Sequence, residues 1–181
     1  SGYDNPALIA QTGDSLSTGF SVFMPDRTTT IGGTDYNSDA KMYAIPQVAF
    51  TSKINSDVSW GIMVNAMGGM STSYREVPGA APSAMSPQSV DWNGMMIAPT
   101  MSYALNKDFT LGASLLIAYN NFRINNLYGL EGAGMDSLVT NEGSFLAYGA
   151  KLGLDARVTD GISVGLTLQP KLMAEELGFW K

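Results

Sequence analysis

Along most of the chain, apolar residues alternate with small or polar ones. Between residues 16 and 24 one parity carries Leu16, Thr18, Phe20, Val22 and Met24, and the other Ser17, Gly19, Ser21 and Phe23. The same period returns with Ala44, Pro46, Val48, Phe50 and Ile54, and again with Val58, Trp60, Ile62, Val64 and Ala66. It continues with Met95, Ile97, Pro99, Met101, Tyr103 and Leu105, and with Phe109, Leu111, Ala113, Leu115, Ile117 and Tyr119. The last two runs are Tyr148, Ala150, Leu152, Leu154, Ala156 and Val158, then Ile162, Val164, Leu166, Leu168, Pro170 and Leu172. A sustained period of two predicts strands, here near 15–25, 42–54, 58–69, 94–105, 109–122, 145–158 and 162–173.

Asn55-Ser56-Asp57, Asn106-Lys107-Asp108 and Thr159-Asp160-Gly161 are short turns of the expected composition. Between the hairpins they close lie long polar stretches, roughly 25–41, 70–93 and 123–144. Short turns at one end and long loops at the other are the layout of outer-membrane barrels. If Ile54 faces Val58, Leu105 faces Phe109 and Val158 faces Ile162, the apolar parities of each hairpin fall on one face. Trp60, Tyr103 and Phe109 then mark its short-turn end, and Phe20, Tyr119 and Tyr148 its loop end, as two interfacial girdles would. The alternative, a soluble β-sandwich, fits the long strands poorly.

Composition sharpens this picture. Only 14 % of the 181 residues are charged, against roughly one quarter in soluble domains. No run of about 18 apolar residues offers a transmembrane helix. The chain has no His and no Cys, which removes Ser–His and Cys–His catalytic pairs and the usual zinc ligands. No enzyme activity and no cofactor are expected. A net charge of −6 without a basic cluster argues against nucleic acid. Residues 1–13 lack a basic start and an apolar core, so they do not read as a secretion leader.

The opposite parity is small and polar (Ser59, Asn65, Thr100, Ser114, Gly153, Gly165) and suits a lumen. Its apolar exceptions are Met63, Met67, Met96, Leu116 and Phe122, which serve either a greasy ligand path or packing against a plug. Charged members are Lys151, Asp155, Arg157 and Lys171, with Arg123 near the fifth strand's outer end. Pairing Val158 with Ile162 sets Lys151 diagonal to Lys171, close enough to share an anionic headgroup or to join an ion-pair network. Pro46, Pro99 and Pro170 lack a ladder donor. At Pro46 and Pro99, in mid-strand, this means either a gap in the wall or a harmless irregularity.

Asp4-Asn5-Pro6-Ala7-Leu8-Ile9 resembles the Asn-Pro-Ala segment that opens the FadL/TodX family of outer-membrane hydrophobic-compound (long-chain fatty acid) transporters. Ile45-Pro46-Gln47-Val48-Ala49-Phe50 with Trp60-Gly61-Ile62, Ala98-Pro99-Thr100-Met101-Ser102-Tyr103 with Leu111-Gly112-Ala113, and Lys151-Leu152-Gly153-Leu154 with Val164-Gly165-Leu166 resemble its second to seventh strands in order. The resemblance implies an all-β, antiparallel transmembrane β-barrel of fourteen strands, of which residues 1–181 would supply seven in the N-terminal half. It implies lipid transport or passage of another hydrophobic substrate, such as an aromatic hydrocarbon, in the bacterial outer membrane. The expected partners are membrane lipid, a hydrophobic small molecule and the remaining barrel strands, from the same chain or another. Substrate-binding candidates are Met63, Met67, Met96, Leu116, Phe122, Arg123, Lys151 and Lys171. Two departures are expected: no hatch upstream of Asn5 and a short capture loop near 123–144. The competing function is a structural barrel subunit that completes or docks into a larger complex.

The parity assignment predicts which substitutions hurt. In the complete protein, Leu115→Arg or Leu166→Arg should destabilise by roughly 2–4 kcal/mol near mid-membrane, whereas Gly165→Ser should matter far less. Unfolding titrations in bilayers check this, and equal tolerance on both parities would reverse inside and outside.

Overall fold

The computed structural model describes residues 2–74, 88–125 and 140–176. A short 3-10 helix, Pro6–Gln11, precedes β1 (Ser15–Phe23), a small hairpin of β2 (Thr28–Ile31) and β3 (Thr34–Asn37), and β4 (Tyr43–Lys53). Long strands follow: β5 (Val58–Tyr74), β6 (Gln88–Ala104), β7 (Phe109–Asn125) and β8 (Thr140–Thr159), then the shorter β9 (Ile162–Leu168) and β10 (Met173–Ala174). Apart from the small hairpin, all belong to one antiparallel sheet ordered β1-β4-β5-β6-β7-β8, with β9 and β10 both on the far side of β8. The sheet curls into a half-barrel.

The hairpins close as their turn chemistry dictates. Ile54 N–H donates to Val58 O at 2.9 Å and Leu105 N–H to Phe109 O at 2.9 Å. In each turn an asparagine side chain accepts two backbone N–H groups: Asn55 Oδ1 from Asp57 and Val58, and Asn106 Oδ1 from Asp108 and Phe109. These are Asx turns, which is why Asn opens both connections. The strands run well past the alternating segments on the loop side, β5 to Tyr74 and β6 from Gln88. Polar residues such as Ser71, Thr72 and Ser73 carry them there, where no apolar face is needed and alternation fades. The polar stretch near 25–41 likewise holds the β2–β3 hairpin, turned by Gly32 and Gly33 with φ of 59° and 83°, a conformation glycine reaches without a Cβ clash.

Burial follows parity. Met63, Met96, Ala98, Leu116, Ala118 and Ala147 are buried on the concave face, while Leu115, Leu152 and Leu166 stand more than half exposed on the convex face. The convex face is therefore apolar and open, the arrangement lipid demands. Phe50 and Trp60 pack edge-on at 5.3 Å towards its short-turn end.

The last hairpin keeps the expected register from Arg157↔Ser163 to Leu152↔Leu168, with one shift at the turn, where Thr159 rather than Val158 pairs with Ile162. A second shift separates Leu152↔Leu168 from Tyr148↔Met173, so the seventh strand of the reading is broken into β9 and β10 around Pro170. Proline has no N–H to give to β8, and one extra residue is accommodated there. Because a slip of one residue exchanges faces, Leu172 turns inward onto Gly149 and Lys171 turns away from the lumen.

At the short-turn end, β1 is tied to β4 by Asp14, whose carboxylate accepts Lys53 N–H at 2.8 Å. That bond, a second from Ser52 and the Lys53 charge hold the Asp14 pKa below the ordinary carboxylate value. A depressed folded-state pKa contributes stability above the unfolded value, about 3.9, and loses it as pH falls through the folded one. Asp14→Asn, which keeps the acceptor but not the charge, should flatten the acid side of the stability profile below about pH 4, read by urea titration at stepped pH.

Candidate functional site

The lumen face is occupied by the chain's own N-terminus. Asn5 caps the 3-10 turn: its Oδ1 accepts Ala7 N–H at 3.0 Å, and its Nδ2 donates to Leu154 O at 2.9 Å. Pro6 follows at the first helical position, where a missing N–H costs nothing. The turn rests on glycines. A Cβ on Gly112 would overlap Pro6 and Ala7, and one on Gly153 would overlap Asn5 and Pro6. These glycines are cross-strand partners on β7 and β8, so together they form a recess one side chain deep. Asn-Pro-Ala is thus a cap, a pre-set turn and a residue small enough for that recess.

Residues 2–12 themselves cover part of the concave face and act there as a short plug. Ile9 is buried among Met63, Met96, Ala98, Leu116, Ala118 and Ala147, with Tyr3, Ala49, Met67 and Leu172 packed against the group. Of the apolar lumen candidates, Met63, Met67, Met96 and Leu116 are brought together, around the plug. Phe122, half-buried, pairs with Trp92 on β6 and Gly143 on β8, nearer the loop end.

The charged candidates separate. Lys151 is buried beneath Tyr3, donating to its carbonyl at 2.6 Å with Nζ 4.4 Å from the ring centroid. Asp155 Oδ2 accepts from Gln11 Nε2 at 2.6 Å, so Lys151 and Asp155 both hold the plug, whereas Arg157, on the same parity nearer the turn, is exposed. Arg123 is exposed and paired with Glu142 at 2.8 Å. Lys171 is exposed between β9 and β10 and does not join Lys151, for the registry reason above.

A second feature was missed as a site, although Pro46 pointed to it. The β4–β5 ladder ends at Gln47↔Asn65, and Tyr43, Ala44, Ile45 and Pro46 pair only with β1. β5 itself bulges, shifting register on β6 between Ala66 and Gly68. Nearer the loops the wall closes again: Asp39 N–H donates to Ser73 O at 2.8 Å and Ser73 N–H to Ser38 Oγ at 3.0 Å. Tyr43 OH donates to Ser71 O at 2.9 Å, an oxygen that Arg27 also binds. Between these limits is a window in the wall, a cavity of 530 Å³ lined by Phe23, Met42, Ile45, Pro46, Met67 and Met95 and floored by Gly68, Gly69 and Gly94. Just inside it Trp92 lies against Gly68, its indole N–H held by Asn120 Oδ1 at 3.1 Å. Pro99 is different. It leaves two β6 positions unbridged to β7 with no register change, an irregularity rather than an opening. The physical difference is the neighbouring bulge on β5, which no proline announces.

The family model of outer membrane transport proteins (OMPP1/FadL/TodX) matches residues 2–175. The chain belongs to this family. Among solved structures it resembles the Pseudomonas putida toluene transporter TodX, with a TM-score of 0.72 at 16% identity over 96% of this chain and 51% of that one. It also resembles a FadL homologue of Pseudomonas aeruginosa, with a TM-score of 0.59 at 13% identity over 94% of this chain and 46% of that one. The chain spans about half the length of the solved structures it matches. No curated protein matches it in sequence.

The glycine recess yields a sharp test in the complete protein. Gly153→Leu fills the space of Asn5 and Pro6 and should expel the plug while leaving the β8 ladder intact. A cysteine introduced at Ala7, buried in the wild type, should become reactive to a water-soluble maleimide at least about tenfold faster, as a loss of about 1.4 kcal/mol in seating energy implies. Unchanged protection would mean that the plug does not depend on the recess.

Proposed function

We propose that the complete protein is a channel of the bacterial outer membrane that passes small hydrophobic molecules, and that this half of it supplies a plugged lumen and a lateral exit. The observation that carries the reading is the window between β4 and β5. Unpaired strand backbone facing hydrocarbon is strongly unfavourable, so a gap bounded at both ends by hydrogen bonds and lined by apolar side chains calls for a use. A molecule poorly soluble in water gains by leaving the lumen sideways into lipid rather than crossing an aqueous space. A polar solute would have no reason to take that route.

Family membership supports the same reading, as do the toluene transporter and FadL homologue among the structural neighbours. Met63, Met67, Met96 and Leu116 form the apolar side of the path in this proposal, their flexible side chains adapting to the passing molecule once the plug shifts. Phe122 and Arg123 stand nearer the loop end, where a ligand arrives. Lys151 acts on the plug. The alternative of a purely structural barrel subunit gives the window no purpose.

Closing the window should close the route. Gly68→Phe places a ring against Trp92 and across the opening. Uptake of a labelled monoaromatic hydrocarbon by cells carrying the complete protein should fall about tenfold, as a barrier raised by about 1.4 kcal/mol would give. Heat-modifiable electrophoretic mobility would confirm that the variant barrel is folded. Undiminished uptake through the folded variant would remove the lateral route, and uptake no faster than in cells lacking the protein would remove the transport reading.

A further inference from the structure

Resting on the transport reading, we propose that Gln47 and Asn65 form a polar threshold at the inner edge of the window, selecting uncharged molecules that carry a hydroxyl or carbonyl group on an apolar body. The two amides are cross-strand partners on the last rung of the β4–β5 ladder. The next residue on each strand, Pro46 and Ala66, already belongs to the window. On the other side, Gln47 and Asn65 border a separate cavity of 290 Å³ beside the plug, lined also by Tyr3, Ile9, Ala49 and Met63. The amide pair therefore stands between this chamber and the window.

Both side chains are on the lumen parity and both are accessible, Gln47 exposed and Asn65 half-buried. Among the described residues neither amide has a hydrogen-bond partner. Gly19, which pairs with Gln47 on β1, contributes no side chain to crowd it. Elsewhere on this face, Thr100 and Ser114 bond each other at 2.7 Å, and Thr51 bonds Gly13 O at 2.8 Å. Two free amides between the two cavities offer two N–H donors and a carbonyl acceptor each.

Their chemistry decides the class of ligand. A pure hydrocarbon pressed against the pair strips water from the amides and returns nothing. A hydroxyl or carbonyl restores the bonds. A carboxylate finds no counter-charge in the pair; Lys151 is bound to Tyr3 O, and Arg123, on the opposite parity, is paired with Glu142. The predicted preference is therefore a phenol or alcohol over its parent hydrocarbon, and over the corresponding acid.

Uptake of labelled p-cresol, toluene and benzoate into cells carrying the complete barrel tests this. In Gln47→Leu/Asn65→Leu, p-cresol entry should drop about fivefold relative to toluene, the equivalent of one hydrogen bond, with toluene entry kept or raised. The single variant Gln47→Met, at an exposed position, serves if the double variant does not reach the folded, heat-modifiable form, and it should show a smaller drop in the same ratio. An unchanged p-cresol to toluene ratio in a folded variant overturns the threshold while leaving transport standing. Benzoate entering faster than p-cresol overturns the uncharged class. Neither p-cresol nor toluene entering faster than in cells without the protein overturns transport and the threshold together.

Discussion

A backbone N–H or C=O left unpaired in hydrocarbon costs several kcal/mol, and the wall of this half-barrel is organised around avoiding that loss. It explains why the strands are long, why β5 to β8 pair over nearly their whole length, and why the turns are closed by asparagine side chains rather than left to frayed ends. It also gives meaning to the one place where β4 and β5 part. The gap sits where Pro46 has no N–H to leave orphaned and β5 absorbs an extra residue in a bulge. Tyr43, Arg27, Ser38 and Asp39 then stitch the wall together beyond it. The opening is thus contained rather than a fraying edge.

The same economy of groups shapes the lumen. A barrel half with a small, polar inner face would be filled by water. Here a 3-10 turn lies on two paired glycines, and Ile9 meets the methionines of β5 and β6. The contact combines apolar burial with a few directional bonds: Asn5 to Leu154, Lys151 to Tyr3 and Gln11 to Asp155. Those bonds join the plug to β8, Thr12 reaches Thr51 on β4, Tyr3 OH reaches Met96 Sδ on β6, and the apolar contacts extend to β5 and β7. The plug sits beside the 290 Å³ chamber bordered by Gln47 and Asn65.

Much of this was legible in the chain. The period of two, the spacing of Asn-initiated turns and the agreement of apolar parities across hairpins specify an antiparallel sheet with a lipid face, because strand geometry ties parity to face with no further information. Met63, Met67, Met96 and Leu116 stand out as apolar residues on a polar parity, and they do cluster. Pro46 marks a missing ladder donor. These are local properties, each carried by a few adjacent residues.

The rest required the fold. Counting from the turn puts Lys171 in the lumen and the count holds along β9, but the residue inserted between β9 and β10 reverses the faces beyond it. Pro46 and Pro99 look alike in sequence, yet only Pro46 faces a bulge on its neighbour, so only there does the wall open. Lys151 reads as a free lumen charge until residues more than a hundred positions away fold onto it. Gly112 and Gly153 read as ordinary strand glycines until the plug lies across them. Strand identity and lipid face are written in alternation along one segment and so belong to the sequence. The plug, the window and the pairing of charges depend on which segments meet, and only the tertiary structure decides that, because registry is a relation between strands and not a property of any one of them.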